Sequence, residues 1–521
     1  MPTSCGWLTV SETEAFNTPL ARTTTYEYNE QYQLARVNRP DGGYTEYEYD
    51  AQNRVTSETE PWADGGIRRT RYVYAVSSDR IYDTRPVKVY TDYQQADGFF
   101  LNLTVVDYTY ETTPQVERTM SKTYAAGVSH QQVSIEETYG KAAAYPYAVG
   151  KTKFSQAANG VQTVHTYEAT TEHGAVHKHT TITQANDALV PGQSRKTEEF
   201  IAENNTTTFS QECIWDGEQW LLLSTEEYEY DEQLRRVKTT RGNGRTRSTE
   251  WMCCGALREV DEDGILTTHA YNSARQHLGT TRSAVMDGDT EITPETLSES
   301  TLDALGRAVT SRREIGPMVT ETHAEYDLLG RVVKQTDALG RVTITEYSAD
   351  GLISMVTTPT GATLITTRNM DGSIASVSGT GQRELHYSYD INNNRLRTTV
   401  RTAAGEIVSQ TLTNGFGQTV VQTSPSTMGY IYTRSEYNAK GQMVKQYRDT
   451  GAGTATTAPS LYEYDAMGNQ VRQILALSDT PTKENSPVQE IAYAVEQQGD
   501  GIYSVTTSTR YNAQGEPLMS T

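Results

Sequence analysis

The chain has 521 residues, 36% of them hydrophobic, and carries a net charge of −21 at pH 7. Such an acidic chain repels phosphate backbones, so nucleic acid and anionic membranes are not expected partners. No apolar run reaches the length of a membrane span, and no signal peptide is visible from Met1 to Val10. The 34 tyrosines, against 7 phenylalanines, indicate partly hydrated sheet surfaces rather than one thick apolar core.

One short unit recurs along the chain. It reads Tyr, then Asp or Asn, two free positions, Gly or Asn, a polar residue and an aliphatic residue. Repetition of this kind predicts a repeat architecture. Clear copies begin at Tyr49, Tyr326, Tyr437 and Tyr464, and looser ones at Tyr28, Tyr230, Tyr271, Leu302, Thr336, Tyr347, Tyr389, Thr413 and Tyr511.

Each unit predicts a strand, a turn and a return strand. Tyr47 and Tyr49 flank Glu48, so a period of two places both rings on one sheet face and the carboxylate on the other. The Asp327 side chain is expected to bond the backbone two residues on, and Gly330 permits a positive φ. Full units recur at a spacing of 24 residues, which predicts hairpin legs of about ten residues with turns on both edges. Such hairpins must stack on one another, because one hairpin alone is unstable in water.

In chain order the repeat content predicts four regions. Residues 1–20 form a lead without repeat signal, 21–75 carry repeats, and 76–225 form a diverged β region that is either the same sheet or an insertion. Residues 226–521 carry the strongest repeats and end just after a new unit opens, as expected for a fragment of a longer protein. Within them, Asp287 to Ser300 interrupts the units and is expected to form a short helix or a surface loop.

The segment from Cys213 to Trp220 predicts a hairpin, with Asp216-Gly217 at the turn. Trp215 and Trp220 lie near its two strands and are candidate ligand-binding residues, since exposed aromatic rings can stack on sugars. The favoured alternative is that such rings fill the interior face of the sheet.

Three histidines, His173, His177 and His179, are close together in the sequence. On a strand His177 and His179 share one face and can bind a metal ion through imidazole, with His165 as a third ligand across a hairpin. The favoured alternative is an exposed polar strand, because no residue pattern that would orient the imidazoles is evident. No metal or other cofactor is therefore expected, and His173, His177 and His179 remain the metal candidates.

The four cysteines, Cys5, Cys213, Cys253 and Cys254, are too few for a disulfide scaffold. Adjacent Cys253 and Cys254 can close a strained ring or bind a soft metal, but the zinc spacings are missing. Small buried or turn residues are the favoured interpretation of this pair.

Motifs of known catalytic machinery are absent from the sequence. It contains no Gly-rich phosphate loop, no Gly-x-Ser-x-Gly elbow and no His-Glu-x-x-His. A glycosidase needs two facing carboxylates, and the sequence does not single out a pair among 66 acidic residues. No catalytic residue is therefore predicted.

The recurring unit closely resembles the YD repeats of the Rhs family, whose relatives include the C components of bacterial Tc toxins and the animal teneurins. Units spread from residue 28 to 515 carry the resemblance over roughly two thirds of the chain. The resemblance implies an all-β fold, with YD-repeat antiparallel β-hairpins wound into a large curved or spiral sheet, a partial hollow shell. It also implies that bacterial members enclose a toxic C-terminal domain. In those members, aspartate-dependent self-cleavage in a core region rich in Asp-Pro patterns releases that domain. This sequence has no Asp-Pro dipeptide and no variable domain after the repeats, so neither the cleavage residues nor the toxin is expected in it.

Three functions follow, in order of preference. The first is a structural segment of an Rhs-like shell that encapsulates or scaffolds a secreted polypeptide or toxin domain, in a bacterial protein that is secreted or at the cell surface. Its partner is its own or an associated C-terminal polypeptide. The second is a carbohydrate-binding or adhesin module. The third is a glycan-active enzyme with its site in the diverged region. We prefer a protein without enzymatic activity to this third function.

Overall fold

The computed structural model of the protein describes residues 2–3, 6–63, 65–75, 84–94, 98–427, 429–451, 457–478, 481–482, 484–498 and 501–520. Cys5 lies outside the described residues. Within these ranges β-strands are joined by tight turns, and the helical pieces are two 3₁₀ turns, Pro146–Ala148 and Glu172–Gly174. Helices in these ranges are thus far too short to span a membrane. The all-β antiparallel fold is confirmed.

The strands are numbered β1 to β44 in chain order. Up to residue 75 they are β1 (Pro2–Thr3), β2 (Gly6–Trp7), β3 (Ser11–Glu14), β4 (Arg22–Tyr28), β5 (Leu34–Asn38), β6 (Tyr44–Tyr49), β7 (Val55–Trp62) and β8 (Gly66–Val73). Up to residue 230 they are β9 (Lys88–Gln94), β10 (Phe100–Thr112), β11 (Val116–Ala125), β12 (Gln131–Tyr139), β13 (Thr152–Gln156), β14 (Val161–Ala169), β15 (His177–Ala185), β16 (Arg195–Ile201), β17 (Thr207–Trp215) and β18 (Trp220–Tyr230).

The remaining strands are shorter on average. Up to residue 347 they are β19 (Arg236–Arg241), β20 (Thr246–Met252), β21 (Gly255–Val260), β22 (Leu266–Tyr271), β23 (His277–Arg282), β24 (Val285–Asp287), β25 (Thr290–Thr293), β26 (Thr296–Leu302), β27 (Ala308–Ile315), β28 (Met318–Tyr326), β29 (Val332–Thr336) and β30 (Val342–Tyr347). The last group is β31 (Ile353–Thr357), β32 (Thr363–Arg368), β33 (Ile374–Ser378), β34 (Leu385–Asn392), β35 (Arg395–Thr402), β36 (Ile407–Thr413), β37 (Thr419–Ser426), β38 (Gly429–Tyr437), β39 (Met443–Asp449), β40 (Ser460–Tyr464), β41 (Gln470–Leu475), β42 (Val488–Gln498), β43 (Gly501–Tyr511) and β44 (Pro517–Ser520).

One long antiparallel sheet contains every strand from β3 to β44 except β24 and β25. Each of its strands pairs with the strands that precede and follow it in the sheet, and β23 pairs directly with β26. Among the described residues no ladder joins β3 to β44, so the sheet is open rather than closed on itself. β1 and β2 form a separate small pair.

For the segment from Asp287 to Ser300 a short helix or a surface loop is expected; the helix is wrong, and the part from Asp287 to Thr293 is instead an exposed hairpin outside the main sheet. β24 and β25 form a separate hairpin there, and β26 already belongs to the main sheet. Asp287 pairs with Thr290 around Gly288, whose φ of 59° permits the tight turn. The turn chemistry of Asp-Gly-Asp outweighed the Pro294 signal on which the helix expectation depended.

The strands of the diverged region continue the main sheet. β8 pairs with β9, and β18 pairs with β19, so the strands from residue 88 to residue 230 are in register with the repeats on either side. The predicted boundaries at residues 20, 75 and 225 concern repeat content and remain a prediction.

The sheet is a single layer, and its surface area shows this. The chain exposes 29989 Å², whereas a compact protein of 57.9 kDa exposes about 19,000 Å². Fully buried apolar side chains are correspondingly few in the described ranges: Ala63, Leu103, Ala125, Ala148, Ala175, Ala185, Phe200, Cys213, Ile214, Val421, Ile474, Ala476 and Val488. The described residues form no thick core, because none of them adds a second layer on either sheet face.

Turns lie on both edges of the sheet, as the spacing of the units predicts. We call the edge with turns 29–33, 50–54 and 327–331 the upper edge, and the edge with turns 39–43 and 337–341 the lower edge. The lower edge of early strands contacts the upper edge of strands much later in the chain.

These contacts, which we call the seam, join the lower edge of residues 22–193 to the upper edge of residues 350–469. Hydrogen bonds across the seam connect residues that are 272 to 328 positions apart in the sequence. One turn of the coiled sheet therefore takes that many residues, and the expected spiral form is present.

Candidate functional site

The recurring unit forms a corner, on the upper edge in most copies and on the lower edge at Asp337–Arg341. Asp327 shows its geometry. Oδ1 of Asp327 accepts the backbone N–H groups of Leu329 and Arg331, both at 2.9 Å, and Oδ2 accepts Arg331 Nε at 2.7 Å. Gly330 has a φ of 82°, which a residue with a Cβ adopts only with strain. Burial acts to raise the pKa of Asp327, but these N–H groups and the guanidinium hold that pKa below its usual value. The expected roles of Asp and Gly are both confirmed.

Sequence reasoning missed the residue four positions after the Asp, which it treated only as polar. Where the corner begins with Asp this residue is Arg in most turns, and its Nε donates to the carboxylate; the pairs are Asp50–Arg54, Asp231–Arg235, Asp303–Arg307, Asp327–Arg331 and Asp337–Arg341. Where it begins with Asn the residue is Gln or Glu in most turns, and the amide donates to it; the pairs are Asn29–Gln33, Asn272–Gln276, Asn414–Gln418, Asn438–Gln442 and Asn512–Glu516. Asn369 instead donates to the hydroxyl of Ser373. This matching is visible in the printed sequence.

Tyrosine joins most corners to a preceding hairpin. The Tyr326 hydroxyl donates to the carbonyl of Ala308 at 2.9 Å, and Arg307 of the preceding corner lies 4.6 Å from the centre of the Tyr326 ring. Arg307 Nη1 also donates to the Asp327 carbonyl at 3.2 Å. The same hydroxyl-to-carbonyl bond is made by Tyr28, Tyr49, Tyr74, Tyr230, Tyr271, Tyr389, Tyr437 and Tyr464. These bonds link adjacent hairpins without a second layer.

A paired exchange tests the corner. Asp327→Asn is expected to lower the free energy of local opening at β28 and β29 by about 1 to 2 kcal/mol. The new amide N–H group would face the N–H group of Arg331 Nε, so two donors would meet and a charged hydrogen bond would be lost. Adding Arg331→Gln is expected to restore most of the loss, since Asn438 and Gln442 form that amide pair at 2.9 Å. Hydrogen exchange of the two strands measures the effect. A double variant no more protected than Asp327→Asn would contradict the pairing rule.

Side-chain and backbone contacts fix the seam at several points. Thr104 Oγ1 donates to the Gly415 carbonyl at 2.9 Å, and the ring of His130 stacks on Phe416 with centroids 5.8 Å apart. Leu103 is only 2% exposed beside them. Part of the limited apolar burial of the sheet is thus found where the two edges meet.

Two further points lie toward the ends of the seam. The Ala63 N–H donates to Asp371 Oδ2 at 2.7 Å. Gln193 exchanges amide hydrogen bonds with the corner at Asp465, donating to the carboxylate at 2.8 Å and accepting from Asn469 Nδ2 at 2.5 Å. Sequence reasoning found none of these contacts.

The structure separates the three histidines named as metal candidates. His173 has a φ of 50°, and its ring stacks on Phe209, with centroids 3.8 Å apart. His177 stacks on Tyr147 and hydrogen-bonds to the hydroxyl of Tyr145. Neither ring contacts His179.

His179 instead meets His165, the residue suggested as a third ligand. Their Nε2 and Nδ1 atoms are 3.1 Å apart, and His179 Nδ1 lies 2.9 Å from Glu199 Oε2. Burial and the neighbouring His179 lower the pKa of His165, and the hydrogen bond from His179 lowers the pKa of Glu199. In the described part of the chain no group of three or more His, Cys, Asp or Glu side chains converges as a metal site.

The predicted hairpin at Trp215 and Trp220 is present. Asp216 Oδ1 accepts two backbone N–H groups of the turn, and the two indole rings pack edge to face at 5.4 Å. Each ring therefore uses part of its surface against the other.

Cys253 and Cys254 form the two-residue loop between β20 and β21 and are bonded to each other through their sulfur atoms. The sequence favours turn residues for this pair, with closure of a strained ring as an alternative. In the structure the two cysteines are turn residues and are also joined in a ring. Cys213 is buried with a free thiol.

A model of a known protein family matches the sequence of these repeats. The RHS Repeat family model matches residues 33–66 and 326–363, and each range contains one of the clear corner units. The chain therefore contains Rhs repeats in these two ranges. The resemblance read from the sequence is thereby confirmed.

Solved structures similar to the Rhs-repeat chain include the crystal structure of TcdB2-TccC3, at 10% identity and a TM-score of 0.23, covering 94% of this chain and 36% of that one. A Tc holotoxin pore of Photorhabdus luminescens matches at 9% identity and a TM-score of 0.25, covering 94% of this chain and 39% of that one. The chain thus spans well under half the length of these two chains. No curated protein matches it. The assignment depends on the repeat units and not on these superpositions.

Proposed function

We propose that the protein is a wall segment of a hollow Rhs-type shell that encloses a polypeptide. The observation that carries this proposal is the single-layer sheet that coils until its lower edge contacts its upper edge along the seam. A layer of this form surrounds a space instead of filling it.

The corner contacts suit a wall that has solvent on both faces. A one-layer sheet gains little from apolar burial, so its hairpins must be held by contacts within the layer. Asp–Arg pairs fix the turns, and tyrosine hydroxyls bond the neighbouring corner. These residues are structural, which supports a protein without its own enzymatic activity.

The cargo that we propose is the protein's own or an associated C-terminal polypeptide, such as a toxin domain, in a secreted or surface-borne bacterial protein. A net charge of −21 favours a cationic or partly unfolded cargo by electrostatic attraction. Carbohydrate binding has less support, because Trp215 and Trp220 pack against each other.

Small-angle X-ray scattering of the purified chain tests the hollow form. A compact protein of this length has a radius of gyration of about 24 Å. We expect a clearly larger radius, with long interatomic distances over-represented relative to a solid sphere. A radius at the compact value would contradict the proposal.

Limited proteolysis of the complete gene product tests enclosure. The cargo segment is expected to resist trypsin in buffer and to be digested at urea concentrations that open the seam while the hairpins persist. Digestion of the cargo in buffer, at the rate of the isolated polypeptide, would contradict enclosure even if the scattering shows a hollow form.

A further inference from the structure

Three donor atoms converge on one sheet face in the diverged region. His165 lies on β14, and His179 and Thr181 lie on β15; the ladder places Thr181 directly opposite His165. His165 Nδ1 and His179 Nε2 are 3.1 Å apart, and Thr181 Oγ1 lies 3.3 Å from the first and 3.2 Å from the second. The three atoms form a nearly equilateral triangle.

The edges of this triangle match those of a metal coordination sphere. Nitrogen and oxygen ligands at 2.0–2.1 Å from a tetrahedral Zn²⁺ lie about 3.3 Å from one another. An ion bound to all three atoms would replace the hydrogen bonds that join them in the structure.

The adjacent strand fixes the imidazole of His179 in the form that binds metal. Glu199, on β16, accepts a hydrogen bond from His179 Nδ1 at 2.9 Å, because a carboxylate can only accept. The proton therefore resides on Nδ1, and the lone pair of Nε2 faces the triangle. The Tyr167 ring stacks on the imidazole, with centroids 4.5 Å apart and planes within 4°. A carboxylate–histidine pair of this kind orients the ligand in many metal sites.

A second histidine pair in the same sheet offers a comparison. His269 Nδ1 and His277 Nε2 are 3.3 Å apart, and His269 Nε2 lies 3.3 Å from Glu259 Oε2. In the described part of the chain no hydroxyl hydrogen-bonds to this pair, and Glu259 also pairs with Arg247. The second pair thus lacks the third donor and shares its carboxylate.

We propose that His165, His179 and Thr181 bind one divalent transition-metal ion of the zinc type, with Glu199 as the residue that positions His179. Imidazole ligands favour Zn²⁺, Co²⁺, Ni²⁺ and Cu²⁺ over Mg²⁺ and Ca²⁺. A bound ion would thus cross-link β14 and β15, and the hydrogen bond from His179 to Glu199 connects the site to β16.

Titration of the chelator-stripped protein with ZnCl₂ in a calorimeter tests the site, and Co²⁺ absorption reports tetrahedral coordination. We expect one saturable site per chain, and loss of that site in His165→Gln and in His179→Gln. Glu199→Gln is expected to weaken binding by about 10- to 100-fold, since it removes the group that orients the ligand. Thr181→Val is expected to weaken binding while leaving both imidazoles in place.

The chain supplies matched controls. His173→Gln, His177→Gln and His277→Gln remove imidazoles outside the triangle and are expected to bind Zn²⁺ as the wild type does. Hydrogen exchange of β14 to β16 without metal shows that each variant is folded. Absence of saturable binding in the wild type, or wild-type affinity in a folded His165→Gln variant, would overturn the proposal.

Discussion

Replacing Asp92 by alanine is expected to lower the free energy of local opening of β8 to β10 by about 3 kcal/mol. Asp92 is 1% exposed, and its carboxylate accepts hydrogen bonds from Arg69, Arg71 and Asn102 on the two flanking strands. Its loss leaves two guanidinium groups without their shared anion. This loss of stability is at the low end of the range for breaking a buried ion pair. The reason is that the side chains of Arg69 and Arg71 are 30% and 39% exposed, so water can solvate them once Asp92 is gone. Hydrogen exchange measures the effect.

The pH dependence of the Asp92 contribution gives a second measurement. Burial acts to raise the pKa of Asp92, but the bonds from Arg71 and Asn102 hold that pKa below its usual value. A lowered folded-state pKa means that the stabilisation is fully present above the unfolded value of about 3.9 and is lost as pH falls through the folded-state pKa. The wild type and Asp92→Ala should therefore converge in acid. A difference that grows below pH 4 would contradict the assignment.

Substituting Gly415 by alanine is expected to open the seam and to lower its stability by about 2 to 3 kcal/mol. An added Cβ would lie 2.3 Å from the Leu103 carbonyl oxygen and 2.9 Å from the Ala125 Cβ, so backbone on one side has to move. Increased hydrogen exchange at residues 103 to 126 and greater sensitivity to trypsin along the seam would report the opening.

The turn itself does not explain that cost, because the equivalent position is alanine in other corners. Ala304 occupies it between Asp303 and Leu305, away from the seam. Ala304→Gly is therefore the matched control, and it is expected to change stability by about 0.5 kcal/mol or less. Equal costs at positions 304 and 415 would show that the turn, and not the seam, is affected.

Local features of this fold could be predicted from the sequence because each is set within a few residues. The alternation at Tyr47, Glu48 and Tyr49 gives the strand, and Asp327 with Gly330 gives the turn. The Asp–Arg and Asn–Gln matching was equally accessible, since it is a relation between two positions of one short unit, but it requires comparing the units with one another.

Non-local features could not be predicted in this way. The contact between Thr104 and Gly415 depends on the twist accumulated over many strands, and no local pattern encodes that sum. The pairing of His165 with His179 depends on the register of β14 and β15, which places Thr181 opposite His165. His173 and His177 are closer to His179 in sequence, but aromatic neighbours hold their rings elsewhere.

The order of pairing in the sheet has a consequence for how the protein folds. Strands from β3 onward pair with neighbours in the chain, so these ladders have low contact order and can form as soon as each hairpin leaves the ribosome. The seam is different, because its partners are 272 to 328 residues apart and must wait for that length of chain. Folding is thus expected to proceed from the N-terminal strands onward, with a long-lived stage in which the ribbon is paired but not yet coiled. If the wall encloses a polypeptide as we propose, that polypeptide has to enter before this stage ends.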